Sequence, residues 1–193
     1  MKKPSALVKA VYHEHIARFG EPAQSIRYED PPLDASIAVP AFVDVMVWPA
    51  DEELNITTFA TIGMCDLEMP QSGQRAELHF SVEGDADPQT TAEITRFLAN
   101  LALYPFINHL PLDWWHVIPN AGHLPHFTGM NSLLLHPAFV EGGWQHICHD
   151  GQNVKILNVV PITSQELQQY RSSGMESLLQ YFEQQDINLF APR

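Results

Sequence analysis

The sequence predicts an α+β fold: a mixed, largely antiparallel sheet with helices packed on it, forming a single domain over residues 1–193. Three observations carry that expectation. Segments with strict two-residue alternation mark strands, segments with apolar residues at helical spacing mark helices, and Asp150-Gly151 lies between two apolar runs as a hairpin turn. With 193 residues, 45% of them hydrophobic, the chain can bury one sizeable core.

The opening helix is written in Leu7, Val8, Val11, Tyr12, Ile16 and Phe19, which recur at helical spacing until Gly20 and Pro22 stop it. His15 falls beside that apolar stripe, and His13 faces water. Asp30 to Asp34, with Pro31-Pro32, reads as a loop. Ile37 to Trp48 reads as a strand buried on both faces and interrupted at Pro40, and its one charge, Asp44, is expected at an edge or rim that reaches water. Ile56 to Thr61 is a second strand. In the third, Arg75 to Val82, the apolar residues Ala76, Leu78, Phe80 and Val82 alternate with Arg75, Glu77, His79 and Ser81, which predicts an antiparallel sheet with one wet face.

Thr90-Thr91-Ala92-Glu93 fits a capping box, with the Thr90 hydroxyl and the Glu93 carboxylate closing off backbone N–H groups at a helix start. Ile94, Phe97, Leu98 and Leu101 form the core stripe of that helix, and Pro105 falls at or just past its end. Residues 105–131, rich in Pro, Gly, Asn and His, are expected to wrap the domain as irregular chain. Trp144 to His149 and Val154 to Val160 flank Asp150-Gly151, two residues that tolerate the positive φ of a type I′ turn. Thr163-Ser164-Gln165-Glu166 repeats the capping-box pattern, and Met175, Leu178, Leu179 and Phe182 continue it as a closing helix.

Charge narrows the function. Against 23 Asp plus Glu stand 10 Lys plus Arg, a net charge of −13, and that field repels phosphate backbones while attracting basic partners. Nucleic acid is not an expected ligand; the surface suits a basic protein partner, and equally the plain need for solubility. Cys65 and Cys148 form neither a disulfide framework nor a zinc ligand set, so reduced thiols in a cytosol are expected. Lys9, His13, Glu14, His15 and Arg18 would interrupt the apolar stretch of an export signal. Phe97 to Leu112, an uncharged and largely apolar stretch, carries Asn100, Pro105, Asn108, His109 and Pro111, too short and too polar to span a bilayer. The expectation is a cytoplasmic protein with no membrane segment.

Chemistry-bearing candidates are few. His123-Leu-Pro-His126 and His146-Ile-Cys-His149 invite a zinc reading, but neither supplies the second ligand pair of a structural site, and Pro125 keeps His123 and His126 off a regular helix. No metal and no cofactor is predicted. Cys148 has histidines beside it only along the chain, where geometry rarely serves a nucleophile. No nucleophile elbow, phosphate-cradling loop or dinucleotide fingerprint is present. The expectation is therefore a non-catalytic chain, and the alternative is a metal- or Cys/His-dependent hydrolase built from the His-rich segment 109–149. Trp114-Trp115, next to His116, stands in the irregular middle segment: either both rings pack that segment onto the core, or one does and the other lines a groove.

Two short motifs point to a family. Thr61, Gly63, Met64, Cys65 and Asp66 resemble the Thr-x-Gly-Met-Ser-Asp-like strand end of suppressor-of-fused domains, with Cys65 replacing the usual small hydroxyl residue. Pro161, Ile162, Thr163, Glu166 and Leu167 resemble the family's strand-to-helix junction, and Ile94 to Tyr104 its intervening helix. The match covers about residues 30–185. The resemblance implies a mixed α/β domain that binds proteins and performs no chemistry. The animal member of the family holds zinc-finger transcription factors by adding a peptide strand to exposed sheet, whereas single-domain bacterial relatives are implicated as immunity proteins that neutralise a toxin. Partner-contact candidates are Thr61, Gly63, Met64 and Asp66 from the motif, with Trp114, Trp115, His116 and His123 from the middle segment; Gly63 and Asp66 also suit a strand-end turn for its own sake.

Overall fold

A computed structural model describes residues 3–29 and 34–193. Apart from Asp34, the loop expected at Asp30 to Asp34 lies outside the described residues. The elements in chain order are α1 (Ala6–Phe19), β1 (Gln24–Tyr28), β2 (Val43–Trp48), β3 (Ile56–Ile62), a 3₁₀ turn (Met64–Asp66), β4 (Arg75–Glu83), α2 (Pro88–Asn108), β5 (Val117–Ile118), β6 (Met130–His136), β7 (His146–His149), β8 (Gln152–Thr163) and α3 (Ser164–Gln184).

One sheet of eight strands runs in the order β1-β2-β3-β4-β8-β6-β5, with β7 also paired to β8. Among the described strands β4 and β8 pair in parallel and the other ladders are antiparallel, as the alternating pattern predicts. The long strand β8 holds the sheet together, meeting β7 along 152–155 and β6 along 158–163 on the same side. Asp150 (φ 47°) and Gly151 (φ 78°) form the type I′ connection between β7 and β8.

Helix α2 covers one face of the sheet, setting Ile94, Leu98 and Phe106 against Phe59, Leu78, Phe80 and Leu157. Burying each such side chain contributes roughly 1.5–3 kcal/mol. The other face is covered in two parts. Near its start, α1 packs Leu7, Val8 and Val11 over Met46, Ala60, Ile62 and Ile156. Further along β8, α3 packs Leu167, Leu178 and Phe182 over Leu134, Val160 and Ile162.

Four local expectations need correction. The strand expected from Ile37 begins only at Val43, because Pro40 offers no N–H to a ladder and regular pairing starts once β1 and β3 flank the chain. Asp44 reaches no rim: β2 lies inside the sheet, and Asp44 pairs across it with Arg27, through two hydrogen bonds of 2.7 Å. The cap of α2 is Asp87, not Thr90; its carboxylate accepts from the N–H groups of Gln89 and Thr90 and from the Thr90 hydroxyl, while Pro88 presets the first turn. Pro105 lies within α2, which runs on to Asn108 because Phe106 is buried in the core and Asn108 Nδ2 donates to the Tyr104 carbonyl.

The predicted wet face of β4 is also largely covered, with Arg75 and Ser81 half-buried. Glu77 and His79 are buried, because alternation marks polarity and polar residues face inward where they find partners. The capping box at Thr163 forms as expected: Thr163 N–H donates to Glu166 Oε2 at 2.7 Å, and Glu166 N–H donates to the Thr163 hydroxyl at 3.2 Å.

Candidate functional site

The motif at the end of β3 is wound around a carboxylate. Gly63 N–H donates to Glu77 Oε1 at 2.7 Å, Cys65 N–H donates to the same oxygen at 3.2 Å, and the Thr61 hydroxyl donates to Oε2 at 2.7 Å. Gly63 has φ 116°, and a Cβ there would sit 2.8 Å from the Phe42 carbonyl oxygen, so the position requires glycine on two counts. Arg75 closes the loop from outside, its guanidinium donating to the carbonyls of Cys65 and Asp66 at 2.7 and 2.9 Å. Burial pushes Glu77 up to about 7 despite these donors.

Thr61, Gly63 and Met64 are consequently buried, and Asp66 is half-buried. They shape the loop rather than offer a surface. Cys65 is buried too, and desolvation holds its thiol well above the usual range.

The two tryptophans divide. Trp114 is half-buried; its indole N–H donates to the Ile156 carbonyl at 2.9 Å, and Lys155 lies 4.7 Å over its ring while forming an ion pair with Asp113 at 2.6 Å. Trp115 turns outward. It has φ 67°, its N–H donates to the Leu135 carbonyl, and its ring stands 38% exposed against His136 at 4.7 Å between ring centres. Together with Phe139, Leu179, Phe182 and Phe190 it lines a groove of about 470 Å³ beside α3.

His116 is exposed next to Trp115. His123 is exposed as well, but it belongs to the loop that buries Leu124 on the α2 side of the sheet, away from this groove. The eight candidates therefore occupy four places: the Glu77 loop, Trp114 packed against β8, Trp115 with the neighbouring His116 at the groove, and the loop at His123. The partners that complete the groove, Phe139 and Phe190, have no motif around them and lie in short apolar stretches, Pro137 to Val140 and Leu189 to Pro192, that nothing in the sequence links to Trp115.

The His-rich segment is dispersed. His146 and Cys148 share the exposed side of β7, His126 stands in a turn at φ 70°, and His136 packs on Phe139. Among the described residues, no group of three His, Cys, Asp or Glu side chains is placed to hold a metal, and no helix is long and apolar enough to cross a membrane.

Comparison with known proteins follows the same lines. No curated protein matches this chain in sequence. Among solved structures it is similar to a suppressor-of-fused homolog from Neisseria gonorrhoeae, with a TM-score of 0.68 and 13% identity over 94% of this chain and 91% of that one. It is also similar to a chain of a Sufu–Fu complex, with a TM-score of 0.59 and 14% identity over 93% of this chain and 83% of that one. Against Drosophila Suppressor of Fused the TM-score is 0.58 at 14% identity, over 93% of this chain but only 46% of that protein. These likenesses establish a shared fold. The family described as suppressor of fused protein (SUFU) matches residues 40–193, and the chain belongs to that family.

Proposed function

We propose that this chain is a non-catalytic protein-binding domain that acts as an immunity-type inhibitor, occluding the active site of a basic toxin. One observation carries the binding reading: Trp115, held outward by a left-handed backbone, stands with Phe139 (37% exposed) on the wall of an apolar groove. Partly exposed aromatic rings of this kind anchor interfaces, because they bring a large contact area at small entropic cost. His116 extends that surface, and the loop at His123 is a separate contact candidate. The net charge of −13 supports a basic partner, whose association it would accelerate by steering.

The Sufu–Fu complex, in which a protein of this fold is bound to Fu, favours a second reading as a regulatory binding protein. A pull-down of tagged protein from lysate of its own organism, at moderate and at high salt, separates the two. One stoichiometric basic partner, released as salt rises and lost on Trp115→Ala, is the expected result. Several weak partners indifferent to salt would favour regulation, and no partner at either salt would overturn both.

A further inference from the structure

A second cleft opens on the face of the sheet that α1 and α3 leave uncovered between them. It holds about 620 Å³, and the Phe139–Phe190 ring pair, 5.1 Å between centres, divides it from the Trp115 groove. Its floor is a patch of polar side chains on three adjacent strands: Thr58 of β3 opposite Ser81 of β4, and His79 of β4 opposite Asn158 of β8. Phe19 and Trp48 form the wall on the α1 side. Glu21 and Asp51 stand exposed at the mouth, and among the described residues neither is in an ion pair.

The floor is fixed as a hydrogen-bond acceptor by a chain of imidazoles. His15 Nδ1 lies 2.7 Å from the Val11 carbonyl oxygen and must carry its proton there. His15 Nε2 is then a lone pair, and it accepts from His79 Nε2–H at 2.9 Å. His79 is left with Nδ1 as an acceptor, in a ring that burial keeps neutral. Among the described residues, the one cation on the lining is Arg18, and it is turned onto the Trp144 ring at 4.9 Å.

We propose that this cleft binds an arginine side chain presented by the partner protein. The exposed rings of Phe19 and Phe139 on its lining offer surface for a guanidinium to stack on, its floor offers oxygens and a neutral imidazole to accept planar N–H donors, and Glu21 and Asp51 supply the opposite charge. Arginine fits better than lysine because its flat, weakly hydrated fork can stack and donate at once. The inference rests on the protein-binding reading and names what the partner would insert.

The test uses N-acetyl-arginine methylamide as the probe, titrated into ¹⁵N-labelled protein, with the neutral citrulline analogue as control. Expected are saturable shifts confined to Thr58, His79, Ser81, Asn158 and the Trp48 indole, with citrulline at least about tenfold weaker. Glu21→Gln with Asp51→Asn, which keeps the turn made by Asp51 but removes both charges, is expected to weaken the probe about threefold to tenfold. Ser81→Trp fills the floor and abolishes binding; should that variant not fold, the two charge substitutions still decide. No cleft resonance moving at probe concentrations up to about 50 mM, or citrulline binding equally well, overturns the assignment. If lysate capture yields a partner while the probe leaves the cleft unmoved, protein binding stands and the arginine site falls; if the probe binds and nothing is captured, the reverse holds.

Discussion

The backbone N–H of Gly63 donates at 2.7 Å to the carboxylate of Glu77, a side chain with no exposure to solvent. That bond, with those from Cys65 and Thr61, makes Glu77 the hub on which the motif loop is wound. An amide in place of the carboxylate would set an NH₂ group against a donor. Glu77→Gln is therefore expected to lose about 1–3 kcal/mol of stability, and Glu77→Leu more, because three donors are then left without an acceptor. Urea unfolding measures both, and a Gln variant as stable as the parent would refute the hub.

Gly63→Ala should cost more than alanine at Gly122 or Gly142. All three have positive φ, but only at Gly63 does the new Cβ meet a backbone oxygen, at 2.8 Å. The strain alone is worth about 1–3 kcal/mol. Equal losses at the three positions would mean that the Phe42 carbonyl yields freely.

Arg27 and Asp44 present a different economy. Their side chains are partly exposed, at 27% and 14%, and the guanidinium also lies 4.0 Å over the Phe42 ring. Asp44→Ala leaves a half-buried cation and is expected to lose about 1–3 kcal/mol. The double variant Arg27→Leu, Asp44→Leu should lose less than Asp44→Ala alone, because no charge is stranded. Additive losses in a double-mutant cycle would refute the coupling.

Much of this fold could be read from residue order because local chemistry decides it. The α1 stripe, the Asp150-Gly151 turn and the Thr163 capping box each act within a few residues, and each stands in the structure as expected. What could not be read depends on partners far along the chain. Glu77 and His79 look like solvent-facing positions until the loop at Gly63 and the helix bearing His15 close over them. β1, with the sequence Gln-Ser-Ile-Arg-Tyr, carries no alternation strong enough to be seen, and Arg27 earns its place only when Asp44 lies opposite. The Trp115 groove needs Phe139 and Phe190, joined to it only by tertiary packing.

Buried ionisable groups set the response to pH. Glu77 is raised from 4.5 to about 7, so in that window the folded chain keeps a proton the unfolded chain has lost, and stability from this group falls as pH rises. His15 is lowered from 6.5 to about 4, so the unfolded chain takes up a proton that the folded chain refuses, and stability falls as pH drops from 6.5 toward 4. His79, His136 and His146 are lowered from 6.5 and act in the same sense as His15. Asp113, lowered from 3.8, acts below this window. The histidines outnumber the one opposing carboxyl, so acidification between 6.5 and 4.5 should destabilise the protein. His79→Asn should flatten that slope and Glu77→Gln should steepen it, read as the urea midpoint against pH. A slope unchanged in both variants would sink the account.

Adjacent tryptophans with opposite duties give the sharpest separation of structure from binding. Trp114 donates its indole N–H to Ile156 and carries Lys155 over its ring, so Trp114→Ala leaves a carbonyl without its donor and a void beneath the Asp113–Lys155 pair. A loss of about 2–4 kcal/mol is expected. The hydrogen bonds that place Trp115 are backbone ones: its N–H and the His116 carbonyl pair with Leu135, and both survive truncation of the ring, which loses only its contact with His136 and the groove wall. Trp115→Ala should therefore cost less than about 1 kcal/mol in unfolding. Its effect should appear in binding, where loss of an exposed aromatic anchor weakens a captured partner about thirtyfold or more. Calorimetry on the folded variant and titration with the captured partner give the two numbers independently. A Trp115→Ala protein that binds as the parent does would remove the groove from the interface and move the search to the loop at His123.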